Sequence, residues 1–183
     1  MVIKYSKTKK QITLHKNSRW AYKCDHFSTA KYSGLYYYGE SKGNSLIIPI
    51  NSKNGFLMIK QYRYLKRKLS IEFPCGWIIK EKNPILTAKK ELIEETGYIT
   101  GKIKKIGGFE ALAGSFKNTC TVFLAKQLTK KHSDIGQKNE MIMGLKKVNA
   151  NEIEKLIGCG KIWSGQTLAA WTIYKNYIKN HKK

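Results

Sequence analysis

Three glutamates lie within five consecutive residues of the segment AKKELIEETGY, residues 88–98. They are Glu91, Glu94 and Glu95, a quarter of the 12 acidic residues in a chain with 35 lysines and arginines. On a helix, residues three and four apart share a face, so these carboxylates repel one another by roughly a few tenths of a kcal/mol per pair. A divalent cation reverses that repulsion, and carboxylate oxygens suit Mg²⁺ or Mn²⁺. The alternative is a solvated acidic face paired with neighbouring lysines.

The flanking residues predict that the three glutamates lie on a helix. Asn83 and Pro84 offer an N-cap and a first-turn proline, and Gly97 offers a C-cap. Apolar residues at helical spacing supply the buried stripe, at Ile85, Leu86, Ala88, Leu92 and Ile93. Two more helices are predicted. The segment 149–160 contains a short helix that ends at Gly158, and residues 164–180 form a longer one.

The remaining periodic segments predict strands. Runs rich in Val, Ile, Tyr, Phe and Thr occur around residues 11–15, 20–27, 32–39, 45–50, 55–62, 102–110, 119–125 and 141–148. The turn residues NSKNG (51–55) predict a hairpin between the strands on either side. Many strands with three helices, without regular βαβ repetition, indicate an α+β arrangement around a mixed sheet.

Length and composition indicate a single globular domain without metal staples or disulfides. The 183 residues include four scattered cysteines without zinc-ligand spacing, so we expect free thiols. No apolar run approaches the roughly 18 residues that cross a membrane, and the N-terminus shows no signal-peptide core, so we expect a cytoplasmic protein. A net charge of +23 would attract RNA, but lysines spread along the whole chain favour a solvated surface.

The stretch IEFPCGWIIKEKNPILTAKKELIEETGY resembles the signature of the Nudix hydrolase family, G-x5-E-x7-R-E-U-x-E-E-x-G-U, where U is a bulky apolar residue. Positions in register with it are Gly76, Glu91, Leu92, Glu94, Glu95, Gly97 and Tyr98. Two positions depart from it: the first glutamate is Lys82, with Glu81 one residue early, and the arginine is Lys90.

Further segments resemble the ADP-ribose pyrophosphatase branch of that family. IEFPCGWI is similar to its E-x-P-A-G segment, and MIKQYRY (58–64) is similar to its Q-Y-R strand. FEALAGSFKNT (109–119) is similar to its S-P-G loop, with Ala113 at the proline and Gly114 at the glycine. KLIGCGKIWSGQTLAAWTIY (155–174) resembles its C-terminal segment, so the resemblance covers residues 17 to 175.

The resemblance implies a metal site and a mechanism. Glu91, Glu95 and the backbone carbonyl of Cys75 would hold Mg²⁺, or alternatively Mn²⁺, with Glu94 assisting catalysis. The Cys75 thiol would then be inert packing. The water-activating base of this branch is a glutamate before the last strand, which implies Glu140, although an exposed loop acid is the alternative.

Substrate-binding residues are implied less directly. Arg63 offers bidentate phosphate contacts or is a surface charge at a sheet edge. Glu72 either supports substrate and metal or pairs with Arg63, and Trp20 either stacks on adenine or packs in its strand. Gly114, in the S-P-G-like loop, is expected to contact the substrate.

The implied protein is a divalent-metal-dependent pyrophosphatase of ADP-ribose or a related nucleoside diphosphate sugar. Its fold would be a Nudix α/β/α sandwich with a mixed sheet (44–183), preceded by antiparallel strands (1–43) that form a homodimer. The alternatives are a Nudix enzyme acting on RNA 5′ ends, which the positive charge favours, and a catalytically weak domain that binds nucleotides or RNA.

Overall fold

The computed structural model describes residues 7–51, 55–79, 83–131 and 141–181. These residues form eleven strands, three α-helices and one short 3₁₀ turn, Tyr64–Lys66. The strands are β1 (Lys7–Lys16), β2 (Trp20–Ser28), β3 (Ser33–Ser41), β4 (Asn44–Pro49), β5 (Phe56–Arg63), β6 (Lys68–Glu72), β7 (Cys75–Trp77), β8 (Tyr98–Glu110), β9 (Phe116–Lys117), β10 (Thr119–Lys130) and β11 (Ile142–Val148). The helices are α1 (Pro84–Thr96), α2 (Ala150–Gly158) and α3 (Gly165–Asn180).

The first sheet contains the N-terminal strands in the order β1-β2-β3-β9. The first three strands are antiparallel, and β3 also pairs in parallel with the two-residue β9 through Gly39 and Phe116. This short parallel pairing connects the N-terminal strands to the rest of the chain. The division into residues 1–43 and 44–183 stays a prediction.

The second sheet is mixed and carries helices on both faces. Its order is β7-β4-β10-β8, with β4 parallel to β10 and antiparallel to β7. Alternate residues point to opposite faces of a strand. Ile47 of β4 therefore packs with α1, whereas Leu46 and Ile48 belong to the larger core that contains Ala170 and Trp171 of α3. The predicted mixed sheet with helices on both sides is present.

The third sheet shows where the predicted hairpin is wrong. Asn51 and Gly55 do close a turn, with the Asn51 amide donating to the Gly55 carbonyl at 2.9 Å. However, β4 and β5 share only the single bridge between Ile50 and Phe56. Both edges of β4 are taken by β7 and β10, so β5 pairs instead with β6 and β11 in the order β11-β5-β6.

The predicted helix ends are confirmed. The Asn83 side chain accepts from the Ile85 amide at 3.0 Å, and Gly97 ends α1 with a left-handed φ of 73°. At α2, the Asn149 side chain and Glu152 form a reciprocal capping box. Within the described residues, no helix is long and apolar enough to cross a membrane.

The capping box of α2 provides a test of the fold. We expect Asn149→Ala to lower the free energy of unfolding by about 1 kcal/mol, because it removes the acceptor for the Glu152 amide, which lies 2.9 Å away. Urea denaturation measures the change. Asn151→Ala, an exposed position in the same helical turn, is the matched control and should change stability by less than about 0.5 kcal/mol. Equal effects of the two substitutions would contradict the capping role.

Candidate active site

The segment Phe73–Trp77 is fixed from two sides. The Phe73 amide donates to the Thr167 hydroxyl of α3 at 3.3 Å, and the Pro74 carbonyl accepts from the Ile47 amide at 2.9 Å. Cys75 then pairs with Leu46 as β7 joins the edge of the mixed sheet. The backbone of Cys75 and Gly76 is therefore held between a core strand and a core helix.

Helix α1 presents two buried carboxylates to this backbone. Glu91 is 7% exposed and Glu95 only 2% exposed, which is unusual for ionisable side chains. The Cys75 amide donates a hydrogen bond of 3.1 Å to Oε2 of Glu95. The face that the i, i+4 spacing predicted thus lies against the signature loop and away from bulk solvent.

Gly76 is required by the packing of Glu91. A Cβ atom at this position would lie 2.1 Å from both Cδ and Oε1 of the Glu91 side chain. Non-bonded heavy atoms do not approach one another so closely. The absence of a side chain therefore lets the carboxylate lie directly on the β7 backbone. This contact gives the glycine of the signature a physical reason.

These groups line a cleft of about 430 Å³, which we call the carboxylate cleft. Its wall also contains Glu94, whose carboxylate lies 3.4 Å from the Lys90 ammonium one helical turn away. Three cationic side chains and three aromatic rings also line the cleft. They are Arg19, Arg63 and Lys90, and Tyr62, Tyr64 and Trp77. Carboxylates and cationic side chains thus share one concave surface.

The donor set of the cleft fits a hard divalent cation. Oxygen ligands suit Mg²⁺, and two buried carboxylates beside the Cys75 backbone supply them. No group of three His, Cys, Asp or Glu side chains in the described residues has the arrangement of a complete metal site. A cation would therefore rely on Glu91, Glu95, backbone oxygen and ligands from water or substrate. The ligand roles of these residues stay predictions.

Arg63, which lines the cleft, forms a bidentate ion pair with Glu72. Nε of Arg63 donates to Oε1 of Glu72 at 2.8 Å, and Nη2 donates to Oε2. Glu72 is 1% exposed, so the guanidinium neutralises a buried charge. This hydrogen-bonded carboxylate raises the pKa of Arg63 above its usual value. Of the two alternatives predicted for Glu72, pairing with Arg63 is present.

The other predicted residues are dispersed. Trp20 lies in a separate cavity of about 340 Å³ beside the N-terminal sheet, and its ring is 6.1 Å from that of Phe116. Gly114 is exposed in a turn, where its carbonyl accepts from the Tyr36 hydroxyl, and it does not line the carboxylate cleft. Glu140 lies outside the described residues. The roles predicted for these three residues remain predictions.

Arg19 and Trp77 are among the residues of the cleft that the sequence did not predict. Trp77 directly follows Gly76, so its position within the signature segment was an available signal. Arg19 is one of only three arginines in the chain, and that rarity drew attention to Arg63 alone. Nothing in the strand pattern indicated that the turn between β1 and β2 approaches α1.

The Cys75 side chain behaves as predicted. It packs against the main core, and the neighbouring Cys120 thiol together with burial raises the pKa of Cys75 well above its usual range. The packing of this side chain agrees with the prediction, and the inertness of the thiol stays a prediction. The four cysteines are free, as expected from their spacing.

Comparison with known proteins finds curated relatives and a similar solved structure. No family model matches the chain. Over 128 residues it is 29% identical to a methanol dehydrogenase activator of Bacillus methanolicus and 27% identical to an ADP-ribose pyrophosphatase of Bacillus subtilis. Each match covers 70% of this chain and 69% of the relative. A crystal structure of an ADP compounds hydrolase superposes with a TM-score of 0.82 at 14% identity, covering 100% of this chain and 98% of that one.

The structural match confirms the predicted α+β fold, and the pyrophosphatase and hydrolase names of the relatives support the predicted class, a Nudix-type hydrolase. Within that class, the resemblance to the ADP-ribose pyrophosphatase branch is also confirmed by the curated relatives.

The contact between Gly76 and Glu91 can be tested directly. We expect Gly76→Ala to weaken Mn²⁺ binding and hydrolysis by at least about 10-fold, because the new methyl group displaces the Glu91 carboxylate. Calorimetric titration of Mn²⁺ measures the first effect. Gly158→Ala, where an added Cβ meets no atom within 4 Å, is the control and should leave Mn²⁺ affinity unchanged. Native Mn²⁺ affinity in Gly76→Ala would contradict the packing argument.

The ion pair between Arg63 and Glu72 makes a stability prediction. Arg63→Met leaves a buried carboxylate unpaired and should cost about 3 kcal/mol, the lower end of the range for such pairs, because the guanidinium is partly exposed. Adding Glu72→Gln should restore much of the loss. Urea denaturation of both variants, with Arg67→Met as a control of similar size, measures this. Additive losses in the double variant would argue against the pairing.

Proposed function

We propose that the chain hydrolyses the pyrophosphate bond of ADP-ribose or a related nucleoside diphosphate sugar. The products would be a nucleoside monophosphate and a sugar phosphate. The observation that carries this proposal is that two buried carboxylates share one cleft with guanidinium groups. A metal-bridged diphosphate needs both kinds of group, since anionic ligands hold the cation and guanidinium groups bind the phosphate oxygens.

The chain's own residues would divide the work. Glu91, Glu95 and the Cys75 carbonyl would hold Mg²⁺ or Mn²⁺, which when bound withdraws charge from the diphosphate and lowers the pKa of an attacking water. The Cys75 amide keeps the Glu95 carboxylate turned toward the loop. Glu94 lines the cleft while it forms an ion pair with Lys90. Glu140 is the predicted base for the water.

The names of the relatives support this substrate class. The Bacillus subtilis relative is an ADP-ribose pyrophosphatase, and the structural neighbour is an ADP compounds hydrolase. Activity on RNA 5′ ends is the second candidate, favoured by the net charge of +23. A nucleotide-binding domain with little activity is the third.

We also propose that the protein is a cytoplasmic homodimer. One face of β3 exposes Leu35 and Tyr37, each at least 50% exposed, and the Tyr37 ring stacks on that of Tyr22. An exposed apolar patch of this kind is typical of an interface. Burial of this sheet by a second copy agrees with the predicted role of the N-terminal strands.

Turnover across a panel of compounds, together with Glu95→Gln, tests the function. We expect wild-type protein with Mg²⁺ or Mn²⁺ to cleave ADP-ribose, and Glu95→Gln to lose at least about 100-fold in turnover. The glutamine retains an oxygen for the Cys75 amide, so the fold should persist. Asp25→Asn, in the N-terminal sheet, is the control and should remain active.

Salt dependence separates the alternatives. Cleavage of a small nucleotide sugar should change only modestly between about 50 and 200 mM salt, whereas RNA binding through several phosphates should fall by orders of magnitude. Two results together would overturn the proposed substrate class. One is absence of activity on every nucleotide sugar, and the other is hydrolysis of the 5′-triphosphate end of RNA or RNA binding that persists at about 200 mM salt.

A further inference from the structure

The two arginines of the carboxylate cleft have different surroundings. Arg63 directs Nε and Nη2 to the buried Glu72, so the edge of the guanidinium formed by these two nitrogens is already occupied. The Arg19 guanidinium, by contrast, forms no hydrogen bond or ion pair with any residue that the structure describes. Arg19 is exposed, and its side chain reaches the lining of a cleft that contains three glutamates.

The backbone around Arg19 is fixed although its side chain is unpaired. Asn17 accepts two hydrogen bonds through Oδ1, from the Arg19 amide at 2.8 Å and from the Trp20 amide at 2.9 Å. The Asn17 amide also donates to the Trp20 carbonyl at 3.0 Å, which closes the turn between β1 and β2. Such an Asx turn holds the chain in one conformation. The position from which the guanidinium projects is therefore set by the fold.

Arg19 also borders a second cavity. The carboxylate cleft and the Trp20 cavity, which is lined by Lys16, Trp20 and Lys42 among others, share Arg19 as a lining residue. The Lys42 ammonium is already used, since it donates to the Ile79 carbonyl at 2.6 Å. An extended ligand that runs from the glutamates toward Trp20 would therefore pass the Arg19 guanidinium.

We propose that Arg19 binds the phosphate on the nucleoside side of the substrate, and that the nucleoside extends from there toward the Trp20 cavity. This assignment rests on the proposed function. A guanidinium fork matches two phosphate oxygens at once, and an unpaired one gives up no protein contact when substrate binds. Arg63 then acts through Glu72, as a positioning residue whose pairing maintains the wall of the cleft.

Loss of Arg19 should affect the two halves of the substrate differently. Arg19 contacts the phosphate that leaves as nucleoside monophosphate, so its loss should affect AMP more than ribose 5-phosphate. It should also affect ground-state and transition-state binding alike, because the contacted phosphate is present throughout the reaction. The metal-binding carboxylates are untouched by the change.

Kinetics of Arg19→Gln and Arg19→Lys test the assignment. We expect Arg19→Gln to raise KM for ADP-ribose by about 10- to 100-fold, as for loss of a charged hydrogen bond, with kcat changed by less than about threefold. Arg19→Lys keeps the charge but loses the two-pronged geometry of the guanidinium, so its KM should lie between those of wild type and Arg19→Gln. Arg67→Gln, an exposed arginine outside the cleft, is the matched control and should match wild type.

Product inhibition and metal binding make the test specific. Inhibition by AMP should weaken in Arg19→Gln by the same factor as KM, whereas inhibition by ribose 5-phosphate and the Kd for Mn²⁺ should not change. An unchanged KM, a loss confined to kcat, or equal weakening by both products would overturn the assignment.

The outcome can be separated from failure of the proposed function. If the wild-type protein cleaves no nucleotide sugar, the proposed function fails, and equilibrium binding of AMP with Mn²⁺ then tests Arg19 alone. Weaker AMP binding by Arg19→Gln than by wild type would still support the assignment. Equal AMP binding by the two proteins, or no AMP binding by wild type, would overturn it.

Discussion

The close contact between helix α1 and the backbone of β7 is the constraint on which the site depends. Two glutamates one helical turn apart are buried against Cys75 and Gly76, where a side chain on Gly76 would overlap the Glu91 carboxylate. Burying two like charges is unfavourable unless hydrogen bonds or a cation compensate. The Cys75 amide supplies one such bond to Glu95. The fold therefore maintains a concentration of negative charge that suits a divalent ion.

The positive groups around this charge are divided between two tasks. Arg63 stabilises the buried carboxylate of Glu72, so one guanidinium is used to maintain the architecture of the cleft wall. Arg19 comes from a different sheet, on a turn fixed by Asn17, and is the guanidinium that we propose binds a ligand. A net charge of +23 does not reveal this division, because most lysines lie on the solvated surface and only a few basic side chains enter the cleft.

The sequence predicted local features well and long-range ones poorly. The caps at Asn83 and Gly97 and the shared face of Glu91 and Glu95 depend on residues a few positions apart, so spacing alone reveals them. The hairpin across residues 51–55 was wrong because the partner of a strand depends on which sheet edges remain open. The pairing of Arg63 with Glu72 stayed one of two alternatives because it depends on the register of β5 and β6. The approach of Arg19 to α1 leaves no periodic signal in the sequence.

The parallel pairing of β4 with β10 has a consequence for the order in which the protein folds. It joins Asn44 to Cys120, and β7 attaches to the opposite edge of the same β4. Helix α1 has its own caps and can form locally, whereas contacts between strands so distant in sequence require closure of a long loop and form slowly. A helix of 13 residues is marginal by itself, so during synthesis α1 would be held against β7 only once the sheet that packs against it has formed. Competence to bind metal would arise late, after residues 119–130 have left the ribosome and joined the sheet.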